Sequence, residues 1–392
     1  MNKKYNFDKV IDRSSTYSIK WWGEKDELPM WVADMDFQTA PEIIEALQKR
    51  LNNGIFGYTY IPDDWYKAYQ NWWKKRHNLK IEKDSLIFCT GVVPAISTAV
   101  RKLTTPAENV LIQTPVYNVF YNSISNNGRK ILESPLAYSN GKYSIDWEDL
   151  EKKLSDPQTT LMILCNPHNP IGKIWDKKTL SKIGNLCKKY NVNVISDEIH
   201  CDLTDPGKEY IPFASVSDTC SEISITCIAP TKTFNIAGLQ TAAVMVPNKL
   251  LRHKIWRALN TDEVAEPNVF AVEAPIAAFN KGGAWLDSLR EYIKSNKDKV
   301  REFISNKISE LSVIPSEATY LLWIDCSKIT NDSKELNDFI FKKTKLLLAN
   351  GVQYGGNGQY FLRLNPACPR KLLEEGLLRL EKAIKLWHKS NK

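Results

Sequence analysis

Between Ser85 and Val246 the chain alternates short apolar runs with longer amphipathic stretches, and few architectures accept that pattern. The runs at 86–89, 109–113, 161–165, 193–196, 223–228 and 242–246 have the length and β-branched content of buried strands. The stretches at 94–103, 116–126 and 177–190 repeat their apolar residues at helical spacing. Strands alternating with helices predict an α/β fold built on a mainly parallel sheet covered on both faces. Ligands of such sheets bind beyond the carboxyl ends of the strands, so the residues just after each run are the candidates for function.

The flanks predict a second unit. Ahead of the alternation lie an aromatic cluster, Trp21-Trp22-Gly23, the run Leu28 to Phe37, and a helix opened by Pro41 and carried by Ile43, Ile44, Leu47 and Leu51. That helix stops at Asn52-Asn53-Gly54. A Gly- and Tyr-rich loop at 56–62 follows, then a helix holding Trp65, Tyr69, Trp72 and Trp73. Loops this aromatic pack on a partner or line a pocket. From about Gly283 an amphipathic helix leads to a strand at 319–324, a helix at 334–344, a strand at 359–364 and a closing helix at 370–387. The expected division is a large domain over 45–282 and a smaller α/β domain formed by 1–44 together with 283–392.

Composition excludes several classes. A chain of 392 residues, 43% hydrophobic and 25% charged, has ordinary globular composition and enough length for a large core. No run approaches the roughly 20 apolar residues that span a bilayer. The start, Met1 to Asp8, has no apolar core behind its lysines, so neither a signal peptide nor an anchor is expected, and the expected location is cytoplasmic. None of the eight cysteines forms a C-x-x-C pair with zinc-ligand spacing; they read as small core residues of a reduced compartment, with no metal site. The net charge of +8 is interleaved with acids along helices such as 287–307, the pattern of a solvated surface and not of a nucleic-acid binder. Anionic small substrates remain compatible.

Each strand end offers one chemical group. After 86–89, Thr90-Gly91-Val92-Val93 turns directly into a helix whose first backbone N–H groups suit a phosphate, although most such turns bind nothing. Tyr117 places a ring after the second run, where packing is the commoner role. The third run ends in Asn166-Pro167-His168-Asn169-Pro170, two Asn-Pro pairs that fix a rigid turn and aim the Asn169 amide. The fourth releases Asp197-Glu198, two carboxylates that are costly beside a buried strand unless a cation meets one of them. Asp197 invites that cation; a capping aspartate is its plain alternative. The fifth delivers Lys232 in Ala229-Pro230-Thr231-Lys232-Thr233-Phe234. A lysine at the end of a buried strand loses hydration, which lowers its pKa and suits it to nucleophilic or base chemistry. On this stretch alone, a lysine snorkelling out of a loop fits as well.

Taken together these groups meet the needs of pyridoxal 5'-phosphate: an amine, an acid for the ring nitrogen, a donor for the phenolic oxygen, a stacked ring and a phosphate cradle. The order Gly91-Val92-Val93, Tyr117, Asn169-Pro170, Asp197-x-x-His200 and Thr231-Lys232 resembles the fold-type I pyridoxal-phosphate aminotransferase superfamily over nearly the whole chain. Four further stretches are similar to the cystathionine β-lyase branch called MalY/PatB. They are Trp31 to Phe37, Asn166 to Pro170, Ser196 to His200 and Lys232 to Leu239.

The resemblance implies that Lys232 holds the cofactor covalently and, once displaced by substrate, takes the α-proton. It implies that Asp197 keeps the pyridine nitrogen protonated, that Asn169 helped by His200 donates to the phenolic oxygen, and that Tyr117 stacks on the ring. The phosphate would rest on the backbone of Gly91, Val92 and Val93, on the Thr231 hydroxyl, and on Tyr58 from a second subunit. Tyr58 would thus join Lys232 among the catalytic residues of a homodimer with shared sites. Arg363 would grip the substrate α-carboxylate with a fork that lysine cannot match, assisted by the Ala33 backbone. Ala229 and Gln240 depart from the superfamily, which often carries a phosphate-binding serine and arginine there.

The implied reaction is α,β-elimination from cystathionine or an S-substituted cysteine, giving a thiol, pyruvate and ammonia. Transamination of amino acids uses the same groups and is the alternative, as is a lyase with an added regulatory role in binding a protein partner. No membrane and no nucleic-acid partner is expected.

Overall fold

The computed structural model describes residues 5–390. Met1 to Lys4, on which part of the N-terminal reading rested, lie outside the described residues, as do Asn391 and Lys392.

Seven strands form the central sheet: β1 (Leu86–Cys89), β2 (Asn109–Ile112), β3 (Lys130–Glu133), β4 (Thr159–Cys165), β5 (Asn193–Asp197), β6 (Ser224–Ile228) and β7 (Ala242–Met245). Their spatial order is β1-β7-β6-β5-β4-β2-β3. Only β7 runs against its neighbours, so the mainly parallel sheet expected from the sequence is present. Alternate strand residues point to opposite faces, and here both sets are apolar. Val110, Ile112, Ile163, Ile195 and Cys227 pack with Ile96, Leu251 and Ile255 on one side. Leu111, Met162, Leu164 and Val194 pack with Leu150, Leu180, Ile183 and Phe213 on the other. Each such side chain contributes about 1.5–3 kcal/mol when fully buried, which a bare sheet face would forfeit.

Register decides what happens at the carboxyl edge. Cys165 lies opposite Asp197, and Asp197 opposite Cys227. Ile112 faces Ile163, Ala243 faces Ile228, and Ala242 faces Cys89. The segments leaving β1, β2, β4, β5 and β6 therefore emerge along one edge.

Several local boundaries depart from the sequence reading, among them the strands expected at 319–324 and 359–364, which cover Leu322–Asp325 and Phe361–Leu364. The first sheet helix starts at Val92, not at Pro94, because N–H groups of a first turn have no helical acceptor and a proline there costs little. The helix expected at 116–126 shrinks to Val119–Ser125, since the Val116 N–H is spent on the Tyr354 carbonyl. Strand β3 was not anticipated. It is an outer strand, Lys-Ile-Leu-Glu, partly exposed, and the charges that guard its open edge also erase its apolar signal.

Beyond the 25-residue helix Gly283–Lys307, a four-stranded antiparallel sheet has the order Ser312–Val313, Leu322–Asp325, Phe361–Leu364, Ala349–Asn350. Helices Ser333–Thr344 and Arg370–Ser390 cover it through Leu336, Ile340, Leu373, Leu377 and Leu380. The N-terminal pair Leu28–Pro29 adds alongside Leu346–Leu347 in parallel register. Among the described residues no helix is long and apolar enough to cross a membrane.

Candidate active site

After β6 the chain makes one helical turn, Pro230–Thr233, and Lys232 stands on it. Its Nζ donates to the Ala33 carbonyl at 2.6 Å. Burial pushes the amine down to about 8, against the pull of the Asp34 carboxylate. At neutral pH a group titrating there is uncharged in about a tenth of molecules, far more often than an exposed lysine.

Asp197 closes β5 and is buried, with its Oδ1 accepting from the Ile199 backbone N–H at 3.1 Å. Burial pushes its carboxyl up to about 7, and the adjacent Glu198 adds to the rise. A donor carrying positive charge would reverse that shift. Glu198 does not need one: Ser196 Oγ (2.7 Å), the Phe213 N–H (2.9 Å) and the Tyr210 hydroxyl all donate to it. His200 is buried as a neutral imidazole, pushed down to about 3 by burial and then by Lys232 and Arg363. Its Nδ1 has no hydrogen-bond partner among the described residues.

Arg363 lies in the strand Phe361–Leu364, facing Trp323 on one side and Ala349 on the other. Its Nη2 donates to the Trp31 carbonyl at 2.8 Å and its Nη1 to Asn169 Oδ1 at 3.3 Å, while its guanidinium lies 4.9 Å from the centre of the Tyr354 ring. Since the Asn169 oxygen faces Arg363, its amide N–H groups are the part left to donate elsewhere. The Arg363 Nε is buried and unpaired among the described residues, a donor suited to an anion.

The segment 30–36 crosses the site as a strap whose carbonyls are held one by one. Met30 O accepts from the Asn365 N–H (2.9 Å), and Val32 O and Asp34 O accept from Asn365 Nδ2 at 2.7 and 2.6 Å. Ala33 O accepts from Lys232 and also from the Tyr320 hydroxyl at 2.9 Å. Met35 O accepts from Asn235 Nδ2 at 2.8 Å. Asp36, buried beneath, receives Lys20 Nζ (2.7 Å), Arg13 Nη1 (2.7 Å) and the Trp21 indole N–H (2.8 Å), and Arg13 also pairs with Asp34 at 2.6 Å. Arg13, Lys20, Asn235, Tyr320, Tyr354 and Asn365 were not singled out from the sequence. The one available signal was the Asp34-x-Asp36 pair inside an apolar run, which calls for cations.

The other expected residues divide. Gly91 leads into the helix Val92–Leu103 with no side chain capping it, Val92 is buried and Val93 is partly exposed. Thr231 is buried, and Tyr117 is close enough to Arg363 and Asp197 for their charges to act on its phenol. Tyr58 is not brought to Lys232 within one chain; it is fully exposed on its loop.

The family model for aminotransferases of class I and II matches residues 26–380. The chain belongs to that family. Among class I and II relatives it is 46% identical to the cystathionine beta-lyase PatB of Bacillus subtilis over 386 residues, spanning 97% of this chain and 100% of PatB. It is 34% identical to the protein MalY of Escherichia coli, over 97% of this chain and 99% of MalY. Cystalysin from Treponema denticola, whose crystal structure contains a pyridoxal 5'-phosphate cofactor, superposes with a TM-score of 0.94 at 35% identity, covering 97% of this chain and 99% of cystalysin.

Proposed function

We propose that the sheet edge binds pyridoxal 5'-phosphate and that the protein is a carbon-sulfur β-lyase acting on cystathionine or S-substituted cysteines. The observation that carries this reading is the 46% identity to a cystathionine beta-lyase along its whole length. The residues present fit the cofactor. A buried carboxyl raised to about 7 suits a protonated ring nitrogen, and a lysine lowered to about 8 suits a carbonyl. The unpaired Nδ1 of buried His200 and the amide of Asn169 suit a phenolic oxygen.

When bound, pyridoxal phosphate supplies a carbonyl for amines and a ring that accepts the electron pair released at the substrate Cα. Arg363 binds the α-carboxylate through donors that include its free Nε, and the Ala33 backbone lies on the same wall. Lys232 Nζ takes the proton from Cα, and the Cβ–S bond then breaks with its electron pair leaving on sulfur. Asp197 keeps a proton on the ring nitrogen, since a carboxylate beside that nitrogen favours its charged form. Gly91, Val92, Val93 and Thr231 hold the phosphate, and Tyr58 reaches it from the partner in a homodimer. Eight buried free thiols fit a reducing, cytoplasmic setting.

The test is to incubate purified protein with cystathionine and no keto acid. Pyruvate formed in step with homocysteine supports the lyase; product that forms only when an acceptor is added supports the second reading, transamination. The class I and II family match is what keeps that second reading open.

A further inference from the structure

His77, Cys201 and Asp202 converge beside Thr233, the residue after Lys232, their ligand atoms all within 4.8 Å of one another. Asp202 already spends three of its roughly four acceptor sites on protein donors. Its Oδ1 accepts from the Trp72 indole N–H and from His77 Nε2, both at 2.9 Å, and its Oδ2 accepts from the Thr233 hydroxyl at 3.1 Å. Burial holds the Cys201 thiol well above its ordinary pKa, so it remains protonated and is a poor ligand. The cluster is a hydrogen-bonded hub.

The position of that hub gives it a role. Thr233 directly follows Lys232 and is fully buried. Two residues further on, Asn235 adopts a φ of 55° and ties to the strap, accepting from the Met35 N–H (3.0 Å) and donating to Met35 O (2.8 Å) and Phe37 O (2.9 Å). The lysine turn is thus tied to the strap through Asn235 and to Asp202 through Thr233. The Asp202 carboxylate belongs to the same loop as Asp197 and His200, and it is itself oriented by the helix Asp63–His77.

We propose that Asp202 is a positioning residue for Lys232, acting through the Thr233 hydroxyl, with Trp72 and His77 fixing its rotamer. The inference rests on the reading of Lys232 as the amine that carries the cofactor and moves the α-proton. Among the described residues the Asp202 side chain bonds to Trp72, His77 and Thr233 and not to Arg363 or the strap, so its effect falls on attack by the amine and on proton transfer, not on the grip of the substrate carboxylate. Both steps are sensitive to displacements of about 1 Å.

The experiment compares T233V, which keeps the shape and removes the donor, with T233S, which keeps the donor. D202N is a companion variant, but losing a buried charge also perturbs folding, so the threonine pair decides. Each full-length apoprotein is mixed with pyridoxal phosphate, and adducts are trapped with borohydride over time and located by peptide mass mapping. Turnover is then expressed per labelled Lys232. In T233V we expect labelling at position 232 and kcat per labelled site each to fall about tenfold, the scale of one buried hydrogen bond. KM should stay within about twofold, and T233S should restore both rates. The proposal is overturned if T233V keeps wild-type rates, if its loss lies in KM, or if T233S is as impaired as T233V. Wild-type protein labelled elsewhere than Lys232 would instead refute the reading on which the inference stands.

Discussion

Lys232 and Tyr320 share one acceptor: the Nζ of the first (2.6 Å) and the hydroxyl of the second (2.9 Å) both donate to the Ala33 carbonyl. On the proposed function the amine engages the cofactor, which leaves Tyr320 as the described donor to that carbonyl. Y320F should therefore loosen the strap in the loaded enzyme and raise KM by about three- to tenfold, the equivalent of one net hydrogen bond. Hydrogen exchange of the amides at 31–36 should quicken in step. Unchanged exchange would remove this role from Tyr320.

On the proposed role of Lys232, its lowered pKa sets the pH dependence of cofactor uptake. The neutral amine is the reactive form, so uptake by the apoprotein should rise about tenfold between pH 7 and 9 and level off above the folded value of about 8. The sign for stability is the same. Between about 8 and the ordinary 10.5 the unfolded chain holds the extra proton, so this residue favours folding increasingly as pH rises through that window. Stopped-flow absorbance across a pH series measures the first effect, and a flat profile would contradict it.

Asp197 behaves in the opposite sense. Its folded value, about 7, exceeds the ordinary 3.8, so the native apoprotein holds the extra proton, and this contribution, full below 3.8, is lost as pH rises through 7. D197N carries no such loss. Relative to wild-type apoprotein, its melting temperature should gain at pH 8 and show no gain at pH 4, while its affinity for pyridoxal phosphate falls. Calorimetry at the two pH values checks this, and parallel curves would exclude it.

Asp36 lies beneath the strap with Lys20, the two side chains 4% and 1% exposed. Removing Asp36 leaves buried Lys20 with only the longer pair to Asp34 at 3.6 Å, which puts the cost toward the lower end of the about 3–5 kcal/mol of a broken buried pair. D36N should lose stability on that scale in urea denaturation. A loss no larger than that of an exposed pair such as Lys334–Asp338 would refute the account.

The proposed sharing of Tyr58 between subunits makes a prediction about mixtures. In that reading K232A and Y58A subunits are each inactive in a pure dimer, yet a mixed dimer holds one site with both residues intact. Denaturing and refolding the two together should recover about a quarter of wild-type activity. No recovery would show that Tyr58 does not serve a neighbouring site.

The sheet and its active edge were legible because buried strands announce themselves locally. Lys232, Asp197 and Asn169 each follow such a strand, and register then aligns the exits. The strap was illegible in its details. Asp36 meets Lys20 and Arg13 from 16 and 23 residues away, and Tyr320 reaches Ala33 across 287 residues, separations that no periodic pattern encodes. The carboxylate pair Asp197-Glu198 was read as one problem needing one cation. The fold gives it two answers, neutral donors for Glu198 and, for Asp197, a backbone N–H and a raised pKa in place of a cation.

Because Cys165, Asp197 and Cys227 stand side by side in the ladder, backbone pairing sets where the segments bearing Asn169 and Lys232 leave the sheet, and the turns beyond set the rest. A one-residue slip of any of these strands would carry its exit, and the turn beyond it, away from that edge.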